Sequence, residues 1–296
     1  MAFRFRLFRI LANQRSGTRA ALISALVISC IFQATVHASG CTPSLYGTSF
    51  DGRNGLATLY SIVPINGHSI QLGATGYERI SGMDTDPATG ITYATAEEPG
   101  TDTPVLITID RATGNGSLVG AMTTVNEGIA GLSIRNNDSQ IFAFGGEESF
   151  FTVDSTTGLA TVLFEQEEGS RSGNSIAFSP GDILYHADSE ELHTVDQTTG
   201  QLSVVHSLTF NFPAGLEVRG VGAMDYAPES GIYYAIVKRD SSEPGEDTDT
   251  YLASVDVGSG NVDHIGQTAD SMDGLTYVCE PPDPSGKIFK DGFEGQ

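Results

Sequence analysis

Short apolar stretches alternate with polar ones along most of the chain, and the alternation carries a long-range period. A five-residue phrase, apolar at its first and fourth positions with Ser or Thr at its third, recurs five times. The copies are Leu59-Tyr-Ser-Ile-Val63, Leu106-Ile-Thr-Ile-Asp110, Phe150-Phe-Thr-Val-Asp154, Leu192-His-Thr-Val-Asp196 and Leu252-Ala-Ser-Val-Asp256. Each is followed four residues later by Gly67, Gly114, Gly158, Gly200 or Gly260. A second phrase precedes each repeat and carries the apolar anchors Met83, Leu132, Ile176, Met224 and Leu275, spaced by 49, 44, 48 and 51 residues. After most anchors come a polar turn and a strand with a central aromatic, as in Ile91-Thr-Tyr-Ala94 and Ile141-Phe-Ala-Phe144. Runs of this length, rich in β-branched and aromatic residues, read as strands. Self-similarity with a period in the forties marks stacked supersecondary units, here four antiparallel strands A to D per unit.

The predicted fold is therefore all-β, a five-bladed β-propeller. Strands C and D meet through Asp-x-x-x-Gly turns, where Asp can accept backbone amides and Gly supplies positive φ. The last anchor strand, Gly274 to Val278, has no partner strands after it, whereas Ser44 to Thr48, Leu59 to Val63 and Ser69 to Gly73 match B, C and D. The fifth blade is then shared between the two ends of the repeat region, which closes the ring and pairs strands that an open array would expose. Small residues before the anchors, Gly82, Gly131, Ser175, Ala223 and Gly274, fit a narrow axis. Tyr46, Tyr93, Phe142, Tyr185 and Tyr234 are expected to fill the space between blades.

The first forty residues change the picture of compartment. Five arginines without an acid precede an apolar run from about Ala20 to Phe32, which ends at Val36-His37-Ala38. This reads as a signal peptide over residues 1–38, leaving a propeller over 39–280 and a Pro-rich linker and tail over 281–296. Removing it takes five of the 15 basic residues and leaves 10 against 37 acidic ones, a net charge of −27. Such a surface excludes nucleic acid as a partner, and no other stretch is apolar enough to span a bilayer. The expected mature protein is a monomer, secreted to the periplasm or beyond. Cys30 leaves with the signal, so Cys41 and Cys279 remain as an even pair in an oxidising compartment. They fall at the A and B strands of the shared blade, and a disulfide there would latch the ring. The alternative is lipidation at Ser39-Gly40-Cys41, which would leave Cys279 as a lone exported thiol.

Two stretches exceed the repeat length, both in the fourth unit: Asn211 to Arg219, and the acidic loop Lys238 to Thr250. Insertions in repeat proteins map to loops and to the binding face. Asp240, Glu243, Glu246, Asp247 and Asp249 make that loop the candidate binding loop; Ca2+ is the alternative ligand, although the spacing matches no known calcium loop. No other cofactor is expected. His68, His206 and His264 lie in or beside D strands. His186 and His193 flank Asp188 and read as exposed strand histidines, with a weak metal site as the alternative. Asp84, Asp225 and Asp273 sit beside anchors and offer the carboxylates that a glycosidase-like hydrolase would place around a central pocket. The chain has no Trp, however, and sugar sites lean on aromatic platforms.

The Leu-x-x-Ile-Asp-x-x-Thr-Gly rhythm between Ser44 and Val278 resembles extracellular bacterial repeat proteins that look like propellers of unassigned activity. Lys287 to Glu294 resembles an Ile-Phe-x-Asp-Gly-Phe-Glu ending found on exported proteins of Gram-negative bacteria. The likeness to quinoprotein and lactonase-type propellers is one of repeat rhythm alone. These resemblances imply fold, export and a bacterial source, and no cofactor. The function expected is a non-enzymatic module that binds a protein or glycan through one face; the alternative is a hydrolase at the axial mouth.

Overall fold

The computed structural model describes residues 42–50, 55–125, 128–145, 149–164, 175–239 and 249–280. Residues 1–38, Cys41, Asp240, Glu243, Glu246, Asp247 and the tail 281–296 lie outside them. The described residues form 21 strands and no helix. Four-stranded antiparallel sheets follow one another along the chain. The first unit is β4 (Glu78–Thr85), β5 (Thr92–Glu97), β6 (Pro104–Ile109) and β7 (Gly116–Ala121). The second is β8 (Ile129–Ile134), β9 (Ile141–Gly145), β10 (Phe150–Val153) and β11 (Ala160–Phe164). The third is β12 (Ser175–Phe178), β13 (Leu184–Ala187), β14 (Glu191–Val195) and β15 (Leu202–Ser207). The fourth holds β17 (Val218–Ala227), β18 (Ile232–Arg239), β19 (Thr250–Asp256) and β20 (Asn261–Gln267).

The fifth sheet runs in the order β21 (Met272–Glu280), β1 (Thr42–Ser49), β2 (Thr58–Ile62), β3 (Ser69–Ala74), so the closing blade is shared as expected. The β1–β21 register pairs Thr42 with Glu280 and Pro43 with Cys279. Cys41, next in sequence to Thr42, is outside the described residues. The inner strands β4, β8, β12, β17 and β21 contact one another in sequence and close through β21 and β4, which completes a five-bladed propeller. Here a small side chain is needed: a Cβ at Gly82 would stand 2.5 Å from the Leu132 backbone nitrogen on the next inner strand.

The apolar anchors and aromatics fill the gaps between sheets. Tyr93, Phe142 and Tyr234 are buried, and Tyr185 meets Tyr233 of the fourth unit edge-on at 5.8 Å. Every C–D strand pair also carries a register shift at the same place, after Leu59, Leu106, Phe150, Leu192 and Leu252. The extra residue on each D strand is Leu72, Val119, Leu163, Val205 or Ile265. Leu72, Val119, Leu163 and Ile265 pack against the core, because a bulge re-aims a side chain that strict alternation would point outward.

Just past three of these bulges, D-strand glycines meet the C–D turn of the next blade. Cβ atoms added at Gly114 and Gly158 would stand 2.6 and 2.5 Å from the carbonyl oxygens of Gly73 and Gly120 respectively. The recurrent turn glycine is thus required twice, for its positive φ (82° at Gly114) and for the approach of the neighbouring blade. In the fourth unit a short strand outside the repeat, β16 (Thr209–Asn211), pairs in parallel with β20 and covers the outer edge.

Candidate functional site

At the A–B end of the axis the inner strands leave a cavity of about 340 Å³, lined among others by Asp84, Ser133, Phe178, Asp225, Tyr226 and Tyr277. Three of its polar groups, Asp84, Ser133 and Asp225, come from one repeated position, the residue directly after the anchor. Asp84 accepts the backbone N–H of Ile134 on β8 (2.7 Å) and the Ser133 hydroxyl (3.1 Å). The Ser133 hydroxyl in turn accepts the N–H of Phe178 on β12 (3.2 Å), and Asp225 accepts the N–H of Tyr277 on β21 (2.6 Å). Thr276 donates to the Thr85 hydroxyl of β4 (3.1 Å). These bonds staple inner strand to inner strand around the ring. Among the described residues, the one step without such a side chain is from β12 to β17, where the repeated position is Ala177.

Asp84 and Asp225 are 7% and 9% exposed, and both also accept the N–H of the residue that follows them, Thr85 and Tyr226. Burial outweighs these donors and pushes the Asp84 carboxyl up from 3.8 to about 7. Burial, and then the charge of Asp84, hold Asp225 well above the ordinary carboxylate range. Below pH 3.8 both states are protonated and the Asp84 contribution is fully present; it is lost as pH rises through about 7, because only the unfolded chain releases its proton earlier. Thermal melts of the parent and Asp84→Asn from pH 4 to 8 are expected to show the parent losing stability more steeply. Parallel profiles would remove the buried proton from the account.

Asp273 is elsewhere. It stands near the start of β21, toward the opposite mouth, with Oδ1 2.6 Å from Lys238 Nζ. Burial raises its carboxyl and the lysine opposes the shift. The three carboxylates therefore divide into a pair at one end of the axis and an ion-paired residue at the other. Of the candidate binding loop only Asp249 is described, half-buried and ion-paired with Arg239 at 2.8 Å. The two lengthened stretches of the fourth unit meet there: Val218 pairs with Arg239, whose N–H bonds the Asp249 carbonyl.

His186 and His193 are not exposed, which corrects the reading from sequence; they are 1% and 4% accessible. Side chains alternate along a strand, so with Tyr185 facing the fourth unit His186 must face the second. Its ring stacks on Phe144 of that unit at 4.4 Å and on His193 at 5.5 Å. The staples and the bulges were not anticipated. Their only sequence signal is a polar residue recurring after four of the five anchors and an apolar residue before the D-strand glycines.

No family model matches the chain, and no curated protein matches it significantly. Among solved structures it is similar to a chain of a nidogen/laminin complex, at 10% identity and a TM-score of 0.50 over 80% of this chain and 98% of that one. It also aligns with a periplasmic gluconolactonase of Pseudomonas aeruginosa, at 15% identity and a TM-score of 0.41 over 76% of this chain and 68% of that one. A putative 6-phosphogluconolactonase of Bacteroides fragilis aligns at 10% identity and a TM-score of 0.45, covering 80% and 98% of the two chains. Likeness at this level concerns the fold alone. Among the described residues no helix is long and apolar enough to cross a membrane.

Proposed function

We propose that the chain is an exported, non-enzymatic propeller that binds a protein or glycan partner through the face carrying the lengthened fourth-unit connections. The observation that supports this reading is the engagement of both pocket carboxyls. Asp84 accepts three hydrogen bonds and Asp225 two, in every case but one from backbone amides of the inner strands. A general base must hold its lone pair toward a substrate proton, and here the carboxyls hold strands instead. The opposite face offers the extra chain length that repeat proteins use for recognition, with Lys238, Arg239 and Asp249 at its root.

A hydrolase at the A–B mouth is the second reading, and what favours it is a buried carboxyl titrating near neutrality beside another raised one. One set of variants separates the two. The mature protein is immobilised and probed with a panel of oligosaccharides and extracellular proteins, and is assayed in parallel against aryl glycosides and lactones. Deleting residues 241–248 is expected to lower capture at least tenfold, while Asp84→Asn with Asp225→Asn leaves capture unchanged and no turnover is seen. Turnover in the parent that the double variant loses, with folding intact, would replace binding by hydrolysis.

A further inference from the structure

We propose that His186, Asp188 and His193 form a site for one divalent transition-metal ion, of which zinc is the expected occupant, in the B–C corner of the third blade. This site is independent of the binding reading above. One ring nitrogen of each histidine and a carboxylate oxygen of Asp188 lie within 4.8 Å of one another, and all three residues are buried, Asp188 completely. A tetrahedral zinc site with bonds near 2.1 Å sets its donors about 3.4 Å apart, so side-chain rotation of roughly an ångström closes the set.

The hydrogen bonds around the rings prepare both histidines as ligands. His186 Nδ1 is 3.1 Å from the Ser175 carbonyl, which can only accept, so the proton sits there and Nε2 carries the lone pair. His193 Nε2 is 3.3 Å from a Glu191 carboxylate oxygen, which fixes the opposite tautomer and leaves the lone pair on Nδ1. That Nδ1 is buried and has no hydrogen-bond partner among the described residues. An orphaned acceptor in a core needs an explanation, and a cation supplies one. The carboxylate and carbonyl behind the two rings are the outer contacts that orient metal-bound histidines. Asp188 is fixed in turn, since one of its oxygens accepts the N–H groups of Glu190 and Glu191, both at 2.7 Å.

The donor chemistry selects the ion. Two imidazoles and one carboxylate suit zinc and its first-row neighbours, whereas calcium takes six or more oxygens. Three protein donors leave a fourth position for water.

The test uses the full mature protein after chelator treatment and dialysis. Titration with Zn2+ should give one equivalent bound and, at a hundredfold excess over Kd, a rise in Tm of about 5–10 °C. Ca2+ at the same concentration should give neither. Co2+ should bind in the same ratio and produce visible absorption bands of a low-coordinate nitrogen and oxygen site, a readout that needs no variant. His193→Gln and Asp188→Asn should each weaken Zn2+ binding at least tenfold, and His68→Gln, an exposed histidine outside the site, should leave it unchanged. Absence of stoichiometric binding by the parent, or binding and cobalt bands that survive His193→Gln in a folded protein, would overturn the proposal.

Discussion

Replacing Gly120 by alanine is expected to destabilise the fold by about 3 kcal/mol and to lower Tm by roughly 6–12 °C. Gly120 has no positive φ, so the loss comes from space alone. The added methyl would fall well inside contact distance of the Thr157 carbonyl oxygen, and the obstacle is backbone, which no rotamer change can move. Gly76→Ala is the comparison: its φ of 82° is strained for alanine, but nothing lies within 4 Å of the added atom. That change should cost only about 1–2 kcal/mol. Melts of both variants decide the matter, and equal losses would mean that the approach of neighbouring blades is not what excludes a side chain at Gly120.

If Cys41 and Cys279 are bridged, as their even pairing in an exported chain leads one to expect, breaking the bridge should have a comparable effect. A bridge here closes a loop of more than two hundred residues, and the chain-entropy model assigns such a loop up to about 5 kcal/mol. The mature protein should therefore show no free thiol by intact mass before reduction and two afterwards, with a clear fall in Tm on reduction. Paired Cys41→Ser and Cys279→Ser should reproduce the reduced melting profile. Two free thiols in exported protein, or a lipid adduct on Cys41, would end this account of ring closure.

The blade count and the shared blade were legible because each strand type repeats its apolar spacing, and period-two patterning fixes which face is buried. Strand β16 was not, since Thr209 to Asn211 is too short to show a pattern and its parallel partner lies some fifty residues away. The bulges escaped for a related reason: an extra residue such as Val119 is invisible until the register on both strands is known. At the candidate site the sequence located Asp84 and Asp225 but misread their neighbours. It grouped Asp273 with them because all three lie close to an anchor, whereas Asp273 precedes its anchor by two residues and Asp84 and Asp225 follow theirs by one. Those three positions place it toward the other mouth. His186 looked exposed because a polar residue in a strand reads as solvent-facing, and nothing local announces that Phe144 of another blade covers it.

Among the described residues the ring of inner staples has one gap, at Ala177, and there the seam rests on apolar packing with a single backbone bond, from the Val221 N–H to the Asp188 carbonyl. Ala177, Leu192, Met224, Tyr233 and Val262 form one apolar cluster across it, joined by the Tyr185 and Tyr233 pair. Apolar burial loses its driving force on cooling while hydrogen bonds between strands do not. All five seams bury apolar surface, but the one between the third and fourth blades has no side-chain staple between its inner strands to add to it, so cold should loosen the circle there first.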